Sequence, residues 1–268
     1  MSGALVPHLP AYAREALTQF LARHAVGTKG VVVGLSGGID SAVVARLAKD
    51  ALGPERVLTV LLPDEGPSRR LVEESEGYAR VLGVRSRLVP IQGIVDAARA
   101  ALAPFDDPTG LGNLSARVRM MVLYGIARET GCLVAGTGNK SELLLGYFTK
   151  HGDGGVDLLP IGDLYKTEVF ELAETLGLPE AVRRRVPTAG FWEGQTDEGE
   201  LGLEYRSLDR ILKGIEALRS DGEIVALTGL PEAAVRTVRA RVLAFRHKRR
   251  LPPIPKLGLR TVGIDWRD

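Results

Sequence analysis

What the chain has little of narrows it first. Its 268 residues contain one cysteine, Cys132, set in the apolar run CLVAG. No disulfide can form within the chain, and a thiolate is disfavoured in such surroundings. A disulfide scaffold is therefore excluded, a cysteine nucleophile is disfavoured, and a reducing cytoplasm suits the composition. No apolar run approaches the ~18 residues of a membrane span, and the first residues lack the basic-then-apolar order of a secretory leader. Neither charge dominates: 35 Lys+Arg face 33 Asp+Glu, a net charge of +2, which gives no ground for a nucleic-acid or membrane partner. Lysine is scarce, 8 against 27 arginines, so each lysine stands out. The Walker phosphate loop, G-x-x-x-x-G-K-[ST], is absent.

What is present reads as an ordinary globule, 45% hydrophobic and 25% charged, long enough to bury a sizeable core. Apolar periodicity gives a leading helix over 10–25, a strand over 31–35, a helix over 39–52 and a strand over 56–62. A helix near 67–82, a strand near 86–90 and a helix near 94–103 follow. A turn-rich stretch, 104–112, precedes a long helix over 113–128 and a strand over 132–136. Alternating strands and helices predict a parallel sheet covered on both faces. Beyond 145 the pattern loosens. A helix is expected over 163–176 with Asp163 as N-cap, and helices near 204–217 and 231–247. The acidic, glycine-rich segment 190–202 reads as a mobile lid, and the proline-punctuated tail begins at 251. No repeat or long linker divides the chain, so a single domain, 1–268, is expected.

The most informative segment is VVVGLSGGIDSAVVARLAKDAL, residues 31–52. A β-branched strand runs into a polar glycine turn and then into a helix. Such a turn lets backbone N–H groups approach phosphate oxygens, and the helix N-terminus adds its positive dipole end. Two serine hydroxyls add donors, and Asp40 can hold a metal. In an open parallel sheet, ligands sit beyond the carboxyl ends of the strands where strand order reverses. If the 31–35 and 132–136 strands are neighbours, Asp40 and Glu142 both reach the phosphate site, a donor set that suits Mg²⁺. On its own, Glu142 is equally a solvated carboxylate at a helix start.

The SGGIDS turn resembles the SGGxDS loop of the ATP pyrophosphatase superfamily. The run GTGNKSELLLGYFTKHGDGGVDLLPIGDLYKTEVFELA, the N-x-x-A-R-x-R-M helix from Asn113 to Met120, Pro187-Thr188-Ala189-Gly190 and His247-Lys248-Arg249 make the likeness narrower. Together, over about residues 30–250, this ordered set resembles the NAD synthetase family.

That resemblance implies an α/β fold, a doubly wound parallel sheet flanked by helices of the adenine nucleotide alpha hydrolase-like kind. It implies ATP against Gly34, Leu35, Ser36, Gly37, Gly38, Ile39, Asp40 and Ser41, with Thr137, Lys166 and Thr188 as further contacts. Mg²⁺ would lie on Asp40 and Glu142, and Asp40 and Lys166 would be catalytic. Deamido-NAD would meet Arg117, Tyr124, Phe148, Lys150, Asp157, His247 and Lys248. The implied reaction is amidation of deamido-NAD to NAD through an acyl-adenylate, releasing AMP and pyrophosphate, by a cytoplasmic homodimer with small-molecule substrates. Taken singly, Lys150 also reads as a solvated loop charge, Tyr124 as packed core and His247-Lys248-Arg249-Arg250 as an exposed basic helix end.

Only about 30 residues precede the ATP turn, and Cys132 lies in an apolar run. The nitrogen source is therefore expected to be free ammonia, or ammonia from a separate partner. Two rival readings use the same turn. A tRNA-modifying adenylating enzyme would need an RNA-binding surface, against which the net charge argues, and its thiolating members would need reactive cysteines, against which Cys132 argues. A non-catalytic nucleotide-binding module would not need Asp40 with Glu142, nor the Lys166 region.

Overall fold

The computed structural model describes residues 5–65, 71–103, 105–262 and 264–266. Val31, Val32 and Val33 are fully buried, because apolar side chains on both sides of a strand need cover on both faces. They form β1 (Val31–Gly34) at the inside of a four-stranded sheet. Its partners are β2 (Val57–Leu61), β3 (Arg85–Leu88) and β4 (Leu133–Ala135). The order is β3-β2-β1-β4 and every pairing is parallel. β3 is one of the two edge strands, with all four residues exposed and two of them arginines, charge of the kind that blunts an open edge.

The chain travels from β1 out to β3, then returns to lay β4 on the other side of β1. That reversal opens a crevice beyond the carboxyl ends of β1 and β4. Val31 registers with Leu133 and Val33 with Ala135, so the strands that must be neighbours are neighbours. A further parallel bridge, Ala135 to Leu158, brings the 150s to the same edge.

The two faces are covered by different helices. Val31 and Val33 pack with α1 (Ala13–His24), α2 (Ile39–Leu52), α3 (Val72–Leu82) and α7 (Lys166–Thr175). Val32, Leu58 and Val60 pack with α4 (Gln92–Ala101) and α5 (Pro108–Thr130). This is the doubly wound, adenine nucleotide alpha hydrolase-like arrangement expected. A separate apolar cluster joins α6 (Lys140–Leu145) to α10 (Tyr205–Glu216), α11 (Asp221–Thr228) and α12 (Glu232–Ala244). Two short helices, α8 (Glu180–Arg183) and α9 (Asp197–Leu201), lie between α7 and α10.

Several local expectations change. Residues 108–112 are not loop but the first turns of α5: Asp107 caps it, accepting from Gly110 N at 2.6 Å, and Pro108 takes the first-turn place where its missing N–H costs nothing. Asp163 is not the N-cap of α7. Tyr165 holds that position, Glu168 accepting from its backbone N–H at 2.8 Å, while Asp163 pairs with Lys140 at 3.0 Å. The opening of the expected 67–82 helix, residues 67–70, lies outside the described residues. Cys132 sits just before β4, half-buried against the α4–α5 side of the core. The 190–202 segment contains α9, and Phe191 packs so closely on Gly112 of α5 that no β-carbon would fit there. Its Gln195 and Asp197 are buried. Among the described residues no helix is long and apolar enough to cross a membrane.

Candidate active site

The crevice beyond β1 and β4 is a cavity of about 580 Å³, in the range of small-molecule sites. One wall is the turn between β1 and α2. Gly37 has φ +83°, a conformation side chains resist. Ser36 and Ser41 brace the turn: Gly38 N donates to Ser36 Oγ at 3.3 Å, and Ser41 Oγ donates to the Gly38 carbonyl at 2.9 Å. Gly38 is the N-cap of α2 and brings no capping side chain, so the N–H groups at the start of α2 remain free for an anion.

Asp40, in the first turn of α2, is where the strand reversal takes effect. Its Oδ1 accepts from Asn139 Nδ2 at 3.0 Å and its Oδ2 from Lys166 Nζ at 2.5 Å. Asn139 is fully buried and caps α6, accepting from Glu142 N, while Glu142 Oε2 accepts from Asn139 N at 3.1 Å. This reciprocal capping box turns Glu142 Oε1 to within 3.5 Å of Lys166 Nζ. Lys166 is 2% exposed. Burial alone would lower it, but Asp40 and Glu142 outweigh that and raise its pKa, so it stays an ammonium. Burial raises Glu142, against the pull of Lys166 and with the push of Asp40.

A third carboxylate, this one fully buried, holds the cluster in place from behind. Asp209 of α10 is fully buried. It accepts from Ser141 Oγ at 2.5 Å, from Thr167 N at 2.9 Å and from Thr167 Oγ1 at 2.8 Å. Ser141 Oγ in turn accepts from Lys166 N at 2.9 Å. One carboxylate thus ties together the first turns of α6 and α7, which carry Glu142 and Lys166. Asp197, at the start of α9, also reaches the cavity. Its Oδ2 accepts from Tyr205 Oη at 2.9 Å, and its buried Oδ1 has no hydrogen-bond partner among the described residues. Burial raises its pKa, with Lys166 pulling the other way.

The cavity is lined by Gly34, Leu35, Ser36, Gly38, Ile39, Asp40, Ser41, Thr137, Glu142, Lys166 and Thr188. Gly37 lies behind the lining, with its carbonyl accepting from Arg185. Every residue expected at ATP and the metal is therefore in or against one cavity. The residues expected at deamido-NAD divide. Phe148 and Lys248 line it, and Lys248 Nζ donates to the Gly146 and Phe148 carbonyls at 2.7 and 2.6 Å. Burial holds Lys248 below its usual pKa, with Asp153 opposing and Arg241 and Arg117 adding to the effect. Arg117, Tyr124, Lys150, Asp157 and His247 do not line the cavity. Tyr124 Oη donates to Asp157 Oδ1 at 3.1 Å, and Asp157 Oδ2 accepts from Val134 N at 2.8 Å, so this pair buttresses β4 from outside. Arg117 is exposed on α5, and exposed His247 sits 6.5 Å from the Phe245 ring.

Sequence reading missed Arg119, Asn113, Arg185, Asp197 and Arg241, all of which line the cavity. Arg119 was within reach, in the same helix motif as Arg117. It pairs with Asp64 at 2.6 Å and donates to the Leu62 carbonyl at 3.1 Å. Asp197 lies within the acidic segment 190–202, whose composition reads as a lid and does not single it out.

Comparison with known proteins points to one family. A family model described as NAD synthase matches residues 12–252. An NH(3)-dependent NAD(+) synthetase of Methanococcoides burtonii is 43% identical over 258 residues, covering 95% of this chain and 97% of that protein. Among solved structures, NMN synthetase from Francisella tularensis superimposes with a TM-score of 0.82 at 32% identity, covering 94% of this chain and all of that one. An NH3-dependent NAD synthetase from Campylobacter jejuni gives 0.77 at 32% identity, covering 91% and 98%.

Proposed function

The chain belongs to the NAD synthase family, and from that premise we propose that its cavity joins ammonia to the nicotinate carboxyl of deamido-NAD, splitting ATP into AMP and pyrophosphate. The observation that carries the reading is the meeting of a phosphate turn with the Asp40–Lys166–Glu142 cluster at the strand reversal. The rival adenylating and non-catalytic readings do not account for matches to NH(3)-dependent NAD(+) synthetases over most of the chain.

The chemistry runs in two steps. A nicotinate carboxylate oxygen bonds to the ATP α-phosphorus, and the bond to the pyrophosphate oxygen breaks. Ammonia nitrogen then bonds to the acyl carbon, AMP leaves with the bridging oxygen, and the nitrogen gives up a proton. The turn N–H groups and Ser36 and Ser41 hold phosphate oxygens. Lys166 places a fixed ammonium beside the phosphate whose charge changes, worth more in a dry site than in water. Thr137 and Thr188 offer hydroxyls to the nucleotide. Asp197 Oδ1, buried and without a hydrogen-bond partner among the described residues, is an acceptor this wall offers for the proton. Positioning and charge do the rest.

Among the described residues no group of three metal-binding side chains stands ready-made. Mg²⁺ binds through one or two carboxylates plus substrate phosphates, and Asp40 and Glu142 fit that need. The ammonium now between them marks the place as one that takes positive charge. These two residues would hold the ion, which when bound would offset charge on the triphosphate.

We read the chain as one domain and a homodimer in the cytoplasm, without nucleic-acid or membrane partners. The exposed face of α5 supports the dimer: Met121 is 52% exposed there, beside Arg117 and the Tyr124–Asp157 pair. A dinucleotide reaching from the cavity to that face would meet Arg117, Tyr124, Lys150, Asp157 and His247 outside it. Light scattering on the eluting protein tests the dimer.

The deciding assay supplies ATP, Mg²⁺, ammonium and either deamido-NAD or nicotinate mononucleotide. Equal amounts of NAD, AMP and pyrophosphate are expected, with deamido-NAD preferred. Preference for the mononucleotide would move the substrate assignment, and no amide product would end it. Glutamine freed of ammonia is expected to support no synthesis, because Cys132 lies half-buried outside the cavity. The KM for total ammonium is expected to fall from about pH 7 to about pH 9, since the neutral amine is the nucleophile.

A further inference from the structure

We propose that Arg185 and Ser75 form the subsite for the terminal phosphates of ATP, the half that leaves as pyrophosphate. The inference rests on the functional reading above and adds to it two residues that no motif marks.

Arg185 follows α8 and faces the cavity. Its guanidinium donates to the Gly37 carbonyl in the phosphate turn and to the Glu74 carboxylate of α3. Ser75, the next residue of α3, is 3% exposed and lines the same cavity, yet its hydroxyl has no hydrogen-bond partner among the described residues. A buried hydroxyl without a partner is costly and calls for an explanation. A β-carbon built on Gly37 would lie 2.8 Å from Arg185 Nη1 and 3.0 Å from Ser75 Oγ. The two groups therefore close on one point of the turn that binds phosphate.

Among the described residues, the other cations of the cavity are committed. Lys166 is held by two carboxylates, Arg119 by Asp64, and Lys248 by two carbonyls. Arg241 donates to the Leu145 carbonyl and lies over the Phe245 ring. Arg185 is the one whose carboxylate partner stands in solvent. Its charged partner Glu74 is 57% exposed, and such solvated pairs hold little net energy. A phosphate can replace both its partners with a two-pronged, charge-assisted contact.

Position selects the end of the nucleotide. Lys166 is at the buried end of the site, 2% exposed, whereas Arg185 keeps 19%. The acyl-phosphate bond needs shielding from water, so the α-phosphate belongs at the buried end. Pyrophosphate must leave, and the rim is where Arg185 stands.

The test uses the whole protein with Mg²⁺ and the uncleavable analogue α,β-methylene-ATP, followed by calorimetry. Arg185→Ala is expected to weaken analogue binding about tenfold and to weaken product inhibition by pyrophosphate similarly, the loss of one charge-assisted phosphate contact. AMP affinity and the KM for deamido-NAD should stay within about twofold, since neither ligand carries the terminal phosphates. Arg185→Lys should restore part of the loss, and Ser75→Ala should show a smaller one. Glu74→Gln separates a ligand contact from a clasp, because removing the competing carboxylate should leave analogue binding unchanged or tighter. Analogue and pyrophosphate binding within twofold of the parent in Arg185→Ala would overturn the proposal. So would equal losses for AMP, or a Glu74→Gln loss matching that of Arg185→Ala, either of which would make Arg185 a structural clasp. Binding is read without turnover, so failure here is distinct from failure of the amidation assay.

Discussion

The two arms of the site are built differently. At the ATP arm every expected residue is in or against the cavity, and each charged group is fixed by a buried partner: Asp40 by Asn139 and Lys166, Glu142 by the α6 capping box, and the whole cluster by Asp209. At the deamido-NAD arm only Phe148 and Lys248 face the cavity, while Arg117, Tyr124, Lys150, Asp157 and His247 lie around its outside. The ATP arm is preorganised within one chain. The other arm spreads its expected residues over the outside of the cavity. Charge stabilisation needs fixed groups, because donors that must reorganise lose their advantage. Recognition of a long dinucleotide can draw on separate patches.

Substitutions can sharpen or break that contrast. The largest effect is expected from Lys166→Met, a fall in kcat of about a hundredfold or more from loss of the buried ammonium. Asp40→Asn and Glu142→Gln follow, each lowering turnover at least about tenfold at saturating Mg²⁺. Steady-state kinetics decide both, and near-parental rates would show that the ATP arm is not the preorganised one. Arg117→Ala is expected to raise the KM for deamido-NAD several-fold, on the scale of one charged contact, and to leave that for ATP nearly unchanged. Equal shifts for both substrates would make α5 structural and dissolve the second arm. The smallest effect lies outside both arms. Ser220 caps α11, accepting from Glu223 N, so Ser220→Ala should lower stability by about 1 kcal/mol in denaturant titration and leave both KM values alone.

How much was legible follows the same division. The phosphate turn is contiguous, so glycines, hydroxyls and Asp40 can be read together, and strand alternation brings Glu142 to that turn once β1 and β4 are neighbours, whereas Lys166 enters only through the family resemblance. Asp197, Arg185 and Asp209 carry no such signature. Each is an ordinary polar residue whose meaning comes from burial and from partners distant in sequence, Asp209 being 68 residues from Ser141. Local chemistry carries more than periodicity does: the S-D-G-E capping box marks the start of α11, for which no helix is expected from periodicity, and Tyr165 with Glu168, not Asp163, starts α7. Arg117 shows the opposite limit: a motif assigned it, and one chain alone does not bring it to the cavity.

The central claim is that this cavity bonds a carboxylate oxygen to the α-phosphorus before nitrogen enters. Deamido-NAD carrying ¹⁸O in its nicotinate carboxylate tests it directly. After turnover with ATP and ammonia, mass spectrometry is expected to find one labelled oxygen in AMP and none in pyrophosphate. Label in pyrophosphate, or unlabelled AMP beside newly formed NAD, would contradict the adenylate and the assignment of the Asp40–Lys166–Glu142 cluster to its formation.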